Sequence, residues 1–230
     1  LLPNIVDEKR IIVAIDGPAG AGKSTLARRI AKKLGFLYID TGAMYRALAL
    51  WALRLNVEMS DMHRLGKLAS EAQIELDLST GNIMLNSEDV TAAIREPRVS
   101  EAASKVSAVG AVRRALVRIQ RGMAQDNSVV MEGRDIGTVV FPRAQVKIFL
   151  DADPKERARR RARERGASIN QVESEISERD RRDKQRAEAP LVQAPDAHFV
   201  DTTGLSIDEV EEVILRLVRA RVSNGKAAAG

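Results

Sequence analysis

Residues 11–15 are five aliphatic residues in unbroken succession, mostly β-branched, ended by Asp16-Gly17-Pro18. A run of that kind predicts a short strand buried on both faces. Leu26, Ala27, Ile30, Ala31 and Leu34 then recur at helical spacing until Gly35 stops the helix. Residues 36–39 predict a second strand, and Thr41 a cap for a helix carrying Tyr45, Leu48, Ala49 and Ala52. Further strands are predicted at 128–132, 146–150 and 197–200. The second of these leads into Asp153 as a cap and Pro154 at a first helical position. A last helix is predicted over about 206–222. Strands alternating with helices imply an α/β fold, a parallel sheet with helices on both faces.

One segment breaks the rhythm. Residues 73–78 alternate polar and apolar, Thr80-Gly81-Asn82 makes a turn, and 82–86 continue as another short strand. That pattern predicts a β-hairpin, within an insertion spanning 68–108. Residues 223–230 read as a flexible tail. No apolar run approaches the ~20 residues needed to span a bilayer. The first ten residues lack the pattern of a secretion signal. The expectation is a cytoplasmic protein with no membrane partner.

Composition narrows the chemistry. The chain has no cysteine and two histidines, His63 and His198. A thiolate nucleophile, a disulfide framework and a cysteine-ligated zinc are excluded. Catalysis must come from carboxylates, Lys, Arg, hydroxyls, backbone amides or a bound metal. Aromatics are 3% and hydrophobics 44%, so the core must be aliphatic. The net charge of +5 is local: residues 155–186 hold twelve Lys or Arg against seven Asp or Glu, a surplus equal to that of the whole chain. Nucleic acid, a membrane or a phosphorylated small molecule could each explain a local excess. For most of these arginines, a solvated helix with pairs such as Arg160–Glu164 is explanation enough. The stretch has no interleaved aromatics on which bases could stack.

Gly17-Pro18-Ala19-Gly20-Ala21-Gly22-Lys23-Ser24 matches G-x-x-x-x-G-K-[ST], between a predicted strand and a predicted helix. Backbone N–H groups turned around a phosphate need glycines, and the helix N-terminus adds its positive end. Lys23 would reach the outer phosphates and the Ser24 hydroxyl would hold Mg²⁺. The Asn-Lys-x-Asp guanine motif is absent. Phosphoryl transfer to a small acceptor fits better, since its catalysis is mostly positioning and charge neutralisation. Arginines suited to that work occur at Tyr45-Arg46, at Gly133-Arg134-Asp135 and along 155–186. Arg179, Asp183 and Arg186 are spaced by four and three, which puts them on one helical face.

The strings IDGPAGAGKST, DTGAMYRALAL, EGRDIGTVVFP, VKIFLDA and ERDRRDKQRAEAPL together resemble the bacterial cytidylate kinase family, in order and spacing, over almost all of the chain. The resemblance implies the nucleoside monophosphate kinase form of the P-loop NTPase fold. Residues 1–67, 109–153 and 169–222 would form the CORE. Residues 68–108 would be the acceptor-binding insertion with a small antiparallel sheet, and 154–168 a short LID. It implies transfer of the γ-phosphoryl group of Mg·ATP to CMP or dCMP by a monomer, with no nucleic-acid partner. Lys23, Arg134 and Arg179 would be catalytic. ATP would be held by Gly17, Pro18, Ala19, Gly20, Ala21, Gly22, Lys23, Ser24 and Thr25, with Arg157 and Arg161 closing on it. The CMP site would comprise Thr41, Tyr45, Arg46, Ser104, Arg113, Arg134, Asp135, Arg179, Asp183 and Arg186. Asp135 would face the cytosine amino group, and Ser104 and Arg113 would read the base edge. Family members vary at the position of Ser24, and Gly166 to Asn170 leave little linker inside the LID. A UMP or other small-molecule kinase, or an ATP-dependent RNA-binding protein, are the competing readings.

Overall fold

The computed structural model describes residues 10–77 and 80–227. Residues 1–9 of the expected CORE, Leu78 of the expected hairpin and the last three residues of the expected tail lie outside that range.

The first described elements are strand β1 (Ile12–Asp16) and helix α1 (Lys23–Leu34), then β2 (Leu37–Asp40) and α2 (Thr41–Arg54). Helix α3 (Met62–Glu71) leads to β3 (Ile74–Leu76), β4 (Ile83–Leu85) and β5 (Glu88–Asp89). Helices α4 (Pro97–Val106) and α5 (Gly110–Met123) return the chain to β6 (Val129–Gly133). After β7 (Val146–Asp151) come α6 (Pro154–Arg165), α7 (Ile169–Gln185), β8 (His198–Asp201) and α8 (Ile207–Ala227).

Among the described residues, β2-β6-β1-β7-β8 form a parallel sheet. The unbroken β1 run is explained by its two covered faces. Val13 and Ile15 join Leu26 and Ile30 of α1 and Ile214 and Val218 of α8. Ile12 and Ala14 face the other way, with Ile39, Met131, Ile136 and Val140. Strands β3, β4 and β5 make the small antiparallel sheet. That sheet has no core of its own. Ile74, Ile83 and Leu85 share one apolar cluster with Leu48 of α2, Leu65 of α3, Val99 of α4 and Leu116 of α5.

Several local readings change. Asp40, not Thr41, caps α2: its carboxylate accepts from Ala43 N–H at 3.0 Å. Thr41 is the first helical residue, and its hydroxyl donates to the Glu132 carbonyl at 2.7 Å. The hairpin gains the strand β5, turned by Asn86 and Ser87, both at positive φ. Helix α8 extends past Val222 to Ala227, so the first part of the expected tail is helical.

Asp16 joins the sheet to the segment that follows β6. Its two carboxylate oxygens accept from Ile136 N–H at 2.8 Å and Gly137 N–H at 2.7 Å. Burial pushes this carboxyl up to about 6, against the pull of those two donors.

Two measurements test this account. Leu116→Ala, at a fully buried position, should cost about 2–5 kcal/mol in urea unfolding, while Met62→Ala, at an exposed one, should stay within about 0.5 kcal/mol. Equal losses would contradict the packing described. For Asp16, the native state binds a proton between about pH 6 and pH 4 that the unfolded chain does not yet bind. Acidification through that window should therefore favour the wild type over Asp16→Asn, by up to about 3 kcal/mol. Parallel pH–stability curves for the two proteins would exclude it.

Candidate active site

The loop between β1 and α1 is shaped by close approach. Gly17 has φ +147°, and a Cβ there would fall 1.9 Å from the Leu150 carbonyl oxygen. Gly20 has φ +79°, and a Cβ there would come within 2.9 Å of the Arg157 carbonyl oxygen. No side chain caps α1 and no acid occupies its first turn. Its leading N–H groups are thus left for an anion, where the helix end favours negative charge. Lys23 is 5% exposed and donates to the Pro18 carbonyl at 2.7 Å. Burial, then the neighbouring Arg134, push its ammonium down to about 7, while Glu132 and Asp16 pull the other way.

Parallel register delivers the carboxylates. Asp40 of β2 lies beside Glu132 of β6, and Asp16 of β1 beside Gly133. Burial raises the Glu132 carboxyl, helped by Asp40, although Tyr38 donates to it at 2.5 Å and Ser24 at 3.0 Å. Burial would raise Asp40 too, but Arg46 at 2.9 Å and the Ala43 N–H hold it below its ordinary value. The two adjacent carboxyls are thus pushed in opposite directions. Ser24 and Glu132 offer a hydroxyl and a carboxylate, hard oxygen donors suited to Mg²⁺. Among the described residues no three His, Cys, Asp or Glu could form a metal cage. The set fits an ion held mostly by substrate phosphates and water.

Next to this cluster, a cavity of about 40 Å³ is lined by Thr41, Tyr45, Arg113, Arg134, Asp135, Arg179, Asp183 and Arg186. Arg113 is 3% exposed. It donates to the Asp135 carboxylate and to the Ser107 carbonyl, the latter at 3.1 Å, and lies over the Tyr45 ring at 5.6 Å. Arg134 donates to Asp183 at 2.9 Å. Burial would raise Asp183, but Arg134, Arg179 and Arg186 hold it down. Burial and Arg134 push Arg179 down to about 9. Arg186 donates to the Ala189 carbonyl at 2.8 Å.

A cleft of about 750 Å³ opens between α4 and the α6–α7 pair, with Arg161, Arg165, Arg179 and Arg182 on its walls. Ser104 lines this cleft rather than the small cavity, with its buried hydroxyl unpartnered among the described residues. Arg46 is held at Asp40. Thr25 is exposed on the first turn of α1. Arg161 faces the cleft. Arg157 is 5% exposed and set behind the phosphate loop, bonded to the Ala152 and Ala19 carbonyls, both at 3.0 Å. The Ala19 N–H is directed at Asp180, 3.4 Å away. Asp16, Asp180 and Arg182 belong to this region although the motif strings that contain them suggest no role for any of the three. Asp180 and Arg182 sit inside the repetitive basic run, and the role of Asp16 depends on a turn 120 residues away.

Comparison with known proteins agrees with this architecture. The family model described as Cytidylate kinase matches residues 13–220. A cytidylate kinase of Solibacter usitatus (strain Ellin6076) is 61% identical over 226 residues, covering 95% of this chain and 97% of that protein. One from Pelotomaculum thermopropionicum is 53% identical over 222 residues, covering 93% and 96%. The crystal structure of an uncharacterized protein from Eubacterium ventriosum aligns with a TM-score of 0.52 at 11% identity, covering 91% of this chain and 99% of that one. At that identity it bears on the fold alone. The family model and these relatives, spanning nearly the full chain, together show that this protein belongs to the cytidylate kinase family.

Proposed function

We propose that the protein transfers the γ-phosphoryl group of Mg·ATP to CMP or dCMP, giving ADP and CDP or dCDP. The observation that carries this reading is the buried Arg113–Asp135 pair, its guanidinium over the Tyr45 ring, in the same site as the loop that holds Lys23. The triphosphate lies along the first turn of α1, with Lys23 on its outer oxygens. Ser24 and Glu132 would hold Mg²⁺ through oxygen, and the ion would supply neutralisation of phosphate charge when bound. The acceptor phosphate rests on Arg46, Arg134 and Arg179. Asp183 and Arg186 complete that side, with Asp183 accepting from ribose hydroxyls.

The reaction needs no general base. An oxygen of the acceptor's anionic phosphate forms the new bond to the γ-phosphorus as the bond to the β-phosphate oxygen breaks, and ADP leaves with the electron pair. The protein's part is alignment and charge stabilisation. Closure of residues 154–168, with Arg161 in the cleft wall, excludes water that would otherwise take the phosphoryl group.

Base choice follows from the donors and acceptors available. On separating from Arg113, Asp135 can accept from the cytosine amino group and Arg113 can donate to the ring edge, while Ser104, on the wall of the larger cleft, can donate only once closure brings it to the base. Uracil carries a carbonyl where cytosine has the amino group. That leaves two acceptors opposed, at about 1–3 kcal/mol for each unpaired buried group. A single chain provides every group named here, so a monomer suffices, and the cytoplasm supplies both substrates. Among the described residues no helix is long and apolar enough to cross a membrane.

ADP release with CMP, dCMP, UMP, AMP and GMP in turn tests the reading. Stimulation by CMP or dCMP is expected, and Lys23→Met should lower kcat by at least about a hundredfold (about 2.7 kcal/mol). Stimulation by UMP alone, or RNA binding with a steep salt slope and no CMP-dependent turnover, would favour the competing readings. Asp135→Ala should bring the kcat/KM ratio for CMP over UMP down by about fivefold or more. An unchanged ratio removes Asp135 from base selection.

A further inference from the structure

Helix α7 carries two buried carboxylates three residues apart, and each holds an arginine from a different half of the site. Asp183 pairs with Arg134, on the acceptor side. Asp180 pairs with Arg157 at 2.5 Å. The same Arg157 guanidinium donates to the Ala19 carbonyl at 3.0 Å, while the Ala19 N–H points at Asp180 at 3.4 Å. Both polar groups of one phosphate-loop residue are therefore taken by this single ion pair. The contact continues on either side. A Cβ on Gly20 would meet the Arg157 backbone at 2.9 Å. Ala19 itself packs against the cluster of Ala158, Ala162, Val172 and Ile176 that joins α6 to α7.

A buried pair of charges is a costly way to fasten two helices, because apolar side chains of the same size usually do it as well. What the pair adds is direction. It fixes the plane of the Ala19 peptide, and hence the path of the loop entering Gly20 and Gly22. Helix α7 cannot shift along its axis without moving Arg134 through Asp183, or the Ala19 peptide through Asp180 and Arg157.

We propose that Asp180 is a positioning residue that couples the acceptor site to the ATP site. Acting through Arg157 and the Ala19 peptide, it converts settling of α7 on the acceptor into a phosphate loop that binds ATP more tightly. The inference rests on the acceptor role given above to Arg179, Asp183 and Arg186, which lie on or directly after the same helix. Linkage makes the effect reciprocal: the acceptor must tighten ATP binding by the factor by which ATP tightens acceptor binding.

Calorimetry on the full chain tests this, titrating a non-hydrolysable ATP analogue with and without saturating CMP, and CMP with and without the analogue. The wild type should show the same tightening in both directions, about fivefold or more. Asp180→Asn keeps an oxygen for the Ala19 N–H but removes the charge opposite Arg157. Its coupling factor should fall to about one and its kcat about tenfold, with CMP binding alone changed less than about threefold. Of its acidic partners Arg157 would keep only Asp151, at 3.4 Å, and the lost partner also lowers stability, so the variant Asp180→Leu with Arg157→Met, which removes both charges of the pair, is measured alongside with thermal melts. It should fold and show the same loss of coupling. Wild-type coupling in either folded variant overturns the proposal, as does an absence of coupling in the wild type. Hydrogen exchange on the wild type needs no variant: CMP alone should slow exchange across residues 17–22, and unchanged exchange there also overturns it. A wild type that turns over no CMP at all would instead overturn the functional reading, a distinct outcome.

Discussion

Lys23 lies beneath the phosphate loop almost sealed from water, and most of the surrounding polar structure serves to make that burial tolerable. An isolated ammonium in such a place would lose its proton or unfold the loop. Here it donates to the Pro18 carbonyl and sits in the field of Asp16 and Glu132. Those carboxylates would be equally costly alone. Asp16 is held by two backbone N–H groups, and Glu132 by Tyr38 and Ser24. Buried charges are retained only when each has partners of this kind, and breaking one such pair usually costs several kcal/mol.

Strand register is the means by which the sequence assembles that network. Parallel pairing sets Asp40 beside Glu132 and Asp16 beside Gly133. The charges therefore meet at the carboxyl edge of the sheet, where α/β folds present their ligands. A one-residue slip in β2 or β6 would turn these groups into the apolar layers and bring aliphatic residues to the edge. The apolar layers thus fix the register: Ile12 and Ala14 on one face, Val13 and Ile15 on the other.

This arrangement also explains what could be read from the chain. The β1–loop–α1 unit was legible because an unbroken aliphatic run, spaced glycines and a helical apolar stripe agree within about 25 residues. Helices α4 and α5 were not. In α5 Val112, Ala115, Leu116 and Ile119 do recur at helical spacing, and what the pattern could not show is that the polar Arg113 and Gln120 are buried beside them. Strand β5 is two exposed acidic residues and carries no apolar signal at all. The misread cap of α2 is a choice between neighbours, Asp40 and Thr41, both of types that cap helices. Only the pairing of β2 with β6, which brings Thr41 to the Glu132 carbonyl, decides it. The motif strings named most of the residues that line the small cavity. They could not separate Arg157, buried behind the loop, from Arg161 in the cleft, because both stand in a run of near-identical residues.

The local surplus of positive charge is best understood through what those arginines lack. Arg160 is anchored on Thr202, and Arg181 and Arg165 on nearby glutamates, as a solvated face requires. Arg179, Arg182 and Arg186 differ. Each has a buried guanidinium nitrogen with no acceptor among the described residues. Leaving a buried donor unpaired is unfavourable, and a charged one more so. Such donors are rare unless a ligand satisfies them, and a cationic donor is best satisfied by an anion. Arg179 and Arg182 face the large cleft, and Arg179 and Arg186 the small cavity beside it. The basic excess of the chain is therefore two populations on the same helices. One is neutralised at the surface by its own glutamates; in the other Arg182 and Arg186 reach Glu178 and Asp183 at 3.5 and 3.7 Å, yet each of its arginines keeps a buried donor with no acceptor among the described residues.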